Sequence, residues 1–150
     1  MDLKLKDKVI VVTGGSKGIG NGICNLLAKE GAIPVIIGRN KPNILDAVKA
    51  IKDNGGQAFH AFAELTDKEA CKKAIDDVIK EFGRIDGLVN NAGVNDGVGL
   101  ENGNYDDFMV SIQRNVAHYY AMAQFTLPEL KKSKGAIVNI GSKTSFTGQG

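Results

Sequence analysis

Cysteine, proline and long apolar runs are scarce in this sequence, and each scarcity removes a class of protein. The two cysteines, Cys24 and Cys71, have no Cys-x-x-Cys spacing and no nearby histidine. A disulfide framework and a zinc site are therefore excluded, both thiols read as reduced core or surface residues, and no metal is expected. Three prolines, 43% hydrophobic and 24% charged residues describe an ordinary globular composition, and 150 residues suffice for one domain with a sizeable core. No run approaches the length of a membrane span, and Met1-Asp2-Leu3-Lys4 opens no apolar signal segment, so the protein is expected in the cytoplasm. Charge of one sign is lacking too: the net charge is +2 and the lysines are scattered, which argues against nucleic acid.

Glycine is what the chain has in excess, 19 residues against an average usage of about 7%. The stretch Thr13-Gly14-Gly15-Ser16-Lys17-Gly18-Ile19-Gly20 follows the apolar run Val9–Val12 and opens an amphipathic segment reaching Glu30. A strand, a glycine turn and a helix start form a phosphate site, because the first helical N–H groups lack partners and carry the positive end of the dipole. Glycines let the backbone approach a pyrophosphate. The spacing here is Gly-x-x-x-Gly-x-Gly.

Strand and helix then alternate. Pro34–Ile37 reads as a second strand, and Ile44, Leu45, Val48 and Ile51 mark one side of a helix. Gln57–Phe62 is a weaker third strand. Thr66 with Glu69 forms a capping box for a third helix, whose face is Ala70, Ala74, Ile75, Val78 and Phe82. Gly87–Asn90 is the fourth strand, a polar loop runs to Asn104, and residues 105–130 read as one long helix stopped near Pro128. Ala136–Ile140 is the fifth strand. This order predicts a doubly wound α/β parallel sheet, a Rossmann fold of five strands within residues 1–150, with the glycine turn at its ligand-binding edge.

Thr13–Gly20, Asn90-Asn91-Ala92-Gly93, Asn115-Val116 and Ser142 after Val138-Asn139-Ile140 together resemble the N-terminal part of the short-chain dehydrogenase/reductase family. The segments Asn91–Gly97, His118–Ala123 and Ser142-Lys143-Thr144 are similar to bacterial sugar dehydrogenases of the L-fucose type. The resemblance implies a nicotinamide dinucleotide held by Gly14, Ser16, Lys17, Gly18, Ile19 and Gly20, by Glu64 and Leu65 beside the adenine, and by Asn91, Ala92 and Gly93 beside the ribose. It implies Ser142 as the residue that hydrogen-bonds the substrate oxygen, with Ser145 the competing serine by composition. It implies Asn115 as the holder of a water in the proton relay, or else a structural amide.

It further implies a Tyr-x-x-x-Lys pair after Ser142. These 150 residues do not reach one, and none of Tyr105, Tyr119 and Tyr120 is followed by Lys four residues on. The chain is expected to belong to a longer single-domain enzyme that continues past Gly150. If 150 residues were the whole product, a non-catalytic NADP-binding module would be the alternative.

Cofactor choice follows from charge. A fold taking NAD places an acid after the second strand; here Gly38 is followed by Arg39, and Lys17 sits in the glycine turn. Bonds to charged groups contribute roughly 1.5–3 kcal/mol each, so two cations against a 2′-phosphate favour NADP over NAD by about tenfold or more. Asn95, Asp96 and Gln149 are candidate substrate contacts, as donors and acceptors for a sugar or as plain turn residues. The expected reaction moves hydride between the nicotinamide and a secondary alcohol or hemiacetal carbon. A carbonyl or 3-oxoacyl reductase on the same site is the alternative. The helix carrying Phe108, Met109, Ile112, Val116, Tyr119, Met122 and Phe125 is apolar nearly all round and expected to be buried on more than one face. A homodimer or homotetramer interface explains that better than a catalytic role for His118.

Overall fold

The computed structural model describes residues 2–143 and Thr147. Five strands, β1 (Val9–Thr13), β2 (Ile33–Gly38), β3 (Phe59–Phe62), β4 (Gly87–Asn90) and β5 (Ala136–Asn139), form one sheet in the order β3-β2-β1-β4-β5, every pair parallel. Between them lie α1 (Gly18–Lys29), α2 (Lys41–Asp53), α3 (Lys68–Phe82), and then α4 (Tyr105–Ile112) and α5 (His118–Ser133), joined by a π-helical turn, Gln113–Ala117. The predicted doubly wound sheet is the observed one.

The alternation of β1 splits the core in two. Val9 and Val11, with Val35, Ile37 and Leu88, face Cys71, Ala74, Ile75 and Val78 of α3 and Met122 and Leu130 of α5. Ile10 and Val12, with Ile36 and Val89, face Cys24 of α1 and Ile44, Val48 and Ile51 of α2. A strand buried on both faces has no reason to alternate polar with apolar residues, which is why Val9–Val12 reads as an uninterrupted run. Both free thiols are buried, and burial pushes Cys24 up to about 12 and Cys71 up to about 11.

Several boundaries differ from the sequence reading. The cap of α3 is Asp67, whose carboxylate accepts from Glu69 N and Ala70 N; Thr66 instead bonds Glu64. On α1, expected to be amphipathic with Ile19, Ile23, Leu26 and Leu27 on one face, Ile19 and Leu26 are exposed while Gly20 and Cys24 are buried, and on α2 Leu45 is exposed. Pro128 lies inside α5, which runs on to Ser133 because its last turns are anchored in the core through Leu130.

The predicted 105–130 helix is two helices. At their junction the Asn115 Nδ2 donates to Ser111 O at 3.0 Å, competing for a carbonyl that regular helix would use, and the turn widens. Within this chain the pair buries one face, not several: Met122 and Leu130 are covered while Phe108, Val116, Tyr120 and Leu127 are exposed.

Candidate active site

The carboxyl ends of β1, β2, β3 and β4 open into a cavity of about 690 Å³. Its wall includes Gly14, Ser16, Lys17, Gly18 and Ile19 from the first turn and Arg39 after β2. Glu64 and Leu65 after β3, and Asn91, Ala92, Gly93, Asn95 and Asp96 after β4, complete it. Thirteen positions picked from sequence thus meet on one surface. Gly20 lies behind it: a Cβ there would overlap Asn91 Nδ2 and Gly14 O.

Thr13, Asn91 and Gly14 hold the two turns together. Thr13 Oγ1, fully buried, accepts from Asn91 N at 3.0 Å and Ala92 N at 3.1 Å. In return Asn91 Nδ2 donates to Thr13 O at 3.0 Å and Gly14 O at 3.3 Å. Gly14 has φ +67°, and a Cβ there would stand 3.0 Å from Ala92 Cα, so the crossing of the turns admits no side chain.

The helix that starts at this turn is built differently from α2, α3 and α4. Asn40, Asp67 and Asn104 cap α2, α3 and α4 with side-chain oxygens, whereas Lys17 at the start of α1 makes no capping bond and the first turn holds no acid. Uncapped N–H groups at the positive end of a helix, facing a cradle that glycine keeps open, fit the pyrophosphate of a dinucleotide. The donor set of the cavity agrees with that group.

Arg39 is already paired with a carboxylate at the rim of the cavity. Its Nη1 donates to Glu64 Oε2 at 3.0 Å. Burial pushes the Glu64 carboxyl up, but the bonds from Arg39 and from Thr66 N and Oγ1 outweigh it and hold its pKa below the ordinary value. Lys17 is exposed and makes no ion pair among the described residues. The predicted pair of free cations is therefore one free lysine and one arginine shared with a carboxylate.

Asn115 does not line the cavity. Its Oδ1 accepts from Val94 N at 2.8 Å and its Nδ2 takes Ser111 O, so both ends of the amide are engaged and the Gly93-Val94 turn is pinned to the π-turn. Ser142 lies exposed just past β5, at the same edge of the sheet but outside the cavity wall. Asp96 accepts from Ser111 Oγ at 3.0 Å. Gln149 lies outside the described residues. Tyr119 donates its hydroxyl to Ile140 O at 3.0 Å, and burial raises its pKa, the wrong direction for a proton-transfer tyrosine.

Of the wall residues that the sequence did not point to as site residues, two carry titratable side chains. His118 is buried at the back of the cavity, its Nε2–H donating to Arg114 O at 3.0 Å; burial lowers its pKa against the opposing pull of that carbonyl. Arg114, on the π-turn, lines the cavity from the other side. His118 falls in the 118–123 segment of the resemblance and Arg114 in no motif, neither marking a cavity residue; the fold back of α5 onto β4 brings them here.

With this geometry in place, comparison with known proteins adds the ancestry. The family model described as short chain dehydrogenase matches residues 8–150. The chain is 31% identical over 147 residues to the 3-oxoacyl-[acyl-carrier-protein] reductase FabG of Thermotoga maritima, covering 97% of this chain and 60% of that one. Among solved structures it resembles Cj0485 dehydrogenase, with 44% identity, a TM-score of 0.93, and coverage of 100% of this chain and 57% of that one. It also resembles an NADH-dependent reductase complexed with NAD, at 27% identity and TM-score 0.92, covering 100% and 65%. A metagenomic short-chain oxidoreductase in complex with NADP matches at 31% and 0.86, covering 92% and 63%. The chain spans between 40% and 62% of the length of the curated relatives it matches.

Proposed function

The chain belongs to the short-chain dehydrogenase family, and from that premise we propose that the protein is an NADP-preferring oxidoreductase. It moves hydride between the nicotinamide and a secondary alcohol or sugar hemiacetal carbon, and its substrate is an L-fucose-like aldose. The observation that carries this reading is the cavity itself. An uncapped helix start and a side-chain-free crossing at Gly14 lie at one end, and the polar side chains of Asn95 and Asp96 at the other.

A bound nicotinamide cofactor supplies the hydride acceptor or donor. The chain's own part is positioning: the α1 N–H groups and Ser16 hold the pyrophosphate, and Lys17 with Arg39 meets the 2′-phosphate. Glu64 and Leu65 flank the adenine, and Asn91–Gly93 shape the ribose seat. Ser142 is proposed to hold the substrate oxygen, and Asn115 to keep the Gly93-Val94 turn in register. The exposed apolar face of α4 and α5 is proposed as the contact with further copies in a homodimer or homotetramer.

Steady-state turnover of L-fucose with NADP and with NAD tests the reading. We expect higher kcat/KM with NADP and a lactone product. Turnover of acyl thioesters or steroids without turnover of aldoses favours instead the carbonyl or 3-oxoacyl reductase reading, which the similarity to the Thermotoga enzyme supports. Cofactor binding without any turnover favours a non-catalytic module.

A further inference from the structure

Arg114 is an exposed arginine with no carboxylate within ion-pairing distance among the described residues, although two acids stand nearby in the same wall. It sits on the π-turn, at the boundary of two cavities. One is the 690 Å³ cavity; the other, of about 320 Å³, lies between the 94–104 loop and α4, with Asn102, Asp107 and Val110 in its wall. Among the described residues two border both: Asp96 and Arg114. Asp96 has one oxygen engaged by Ser111 Oγ, which fixes the orientation of the carboxylate at this boundary.

A planar carboxylate and a planar guanidinium at one opening make a defined recognition set. The carboxylate only accepts and the guanidinium only donates, while a hydroxyl does both. Two neighbouring hydroxyls therefore satisfy the pair together: one donates to Asp96 and one accepts from the Arg114 fork. An anionic substrate suits Arg114 but is repelled by Asp96 and Asp107 in the same wall. A simple ketone or alcohol leaves both groups unpaired.

We propose that Asp96 and Arg114 read a vicinal diol on the substrate, beside the carbon that exchanges hydride, with the smaller pocket receiving the far end of the molecule. Arg114 is then a specificity-determining residue. The proposal rests on the reading of the larger cavity as the hydride-transfer site, and deepens it.

The test uses the full-length protein with L-fucose and its 2-deoxy and 3-deoxy analogues, and compares the unmodified protein with Arg114→Met and Arg114→Lys. Arg114→Met is expected to lower kcat/KM for L-fucose about 10–100-fold, the loss that follows removal of a charge-assisted bond. With the deoxy analogue lacking the hydroxyl it contacts, the same substitution costs less than about threefold, because the bond is already absent. Arg114→Lys, with charge but no fork, falls between. Circular dichroism checks the fold, and if Arg114→Met fails to fold, Arg114→Gln carries the comparison. Equal losses on L-fucose and both analogues, or no loss on any, overturn the diol proposal and leave the hydride-transfer reading intact. Absence of aldose turnover by the unmodified protein overturns the diol proposal together with the aldose reading of the site.

Discussion

Arg39 donates to Glu64 across the rim of the cavity, Nη1 to Oε2 at 3.0 Å, so the cation best placed for a 2′-phosphate is already answered by a carboxylate. Exposed pairs of this kind are worth about 0.2–1 kcal/mol, too little to hold Arg39 away from a phosphate but enough to tax it. Glu64→Gln removes the tax. We expect the NADP-to-NAD ratio of kcat/KM to rise about 1.4- to fivefold, the equivalent of that energy. An unchanged or lower ratio would mean that Arg39 does not meet the cofactor.

Thr13 carries the junction between the glycine turn and the Asn91-Ala92 turn through one oxygen. Thr13→Val keeps the shape and leaves two N–H groups without an acceptor. The expected cost is about 1–3 kcal/mol of stability in denaturant unfolding, with a weaker cofactor affinity by fluorescence titration. Thr13→Ser, which retains the oxygen, should recover most of both.

Asp86 fastens the start of β1 to the approach to β4. Its carboxylate accepts from Val9 N at 3.0 Å, Lys8 Nζ at 3.3 Å and Arg84 Nε at 2.8 Å. Burial pushes its pKa up, but these bonds prevail and hold it below 3.8. A depressed acid stabilises the fold above its unfolded pKa, and the contribution is lost as pH falls through the folded value. Asp86→Asn should cost about 1.5–3 kcal/mol at pH 7. The gap between variant and parent should close as pH falls below 3.8 when urea midpoints are compared.

His118 works in a higher pH window. Its pKa is lowered from 6.5, chiefly by burial, so the folded state keeps it neutral while the unfolded chain takes up a proton. Its contribution is complete above pH 6.5 and lost as pH falls through the folded value. His118→Gln retains a donor for Arg114 O but does not titrate. Between pH 7.5 and 5.5 the variant should lose less Tm than the parent; His60, lowered as well, titrates in both and cancels.

How far the sequence spoke depended on how local the cause was. Val9–Val12 and the glycine spacing are local, and β1 and the turn that opens α1 stand where they pointed; Asn91–Gly93 likewise follows β4 and lines the same cavity. The helix caps failed one residue away: Thr66 and Asp67 are both capable oxygens, and only the conformation of the loop from Glu64 chooses Asp67. Residues 105–130 were read as one helix because the π-turn arises from the Asn115–Ser111 bond, which apolar periodicity does not report. The Arg39–Glu64 pair and the approach of Arg114 and His118 to the cavity are products of strand order, and no spacing along the chain announces them.

Strand order has a kinetic meaning as well. In β1, Val11 pairs on one side with Val35 and on the other with Leu88. Closing the second, longer loop costs about 1 kcal/mol more in chain entropy, which favours the β1–β2 pairing forming before β1–β4. The bonds from Asn91 and Ala92 to Thr13 arrive only with β4. The junction of the two turns is therefore complete only when β4 is in place, and a molecule that holds a ligand in this cavity would have its central strand enclosed on both sides.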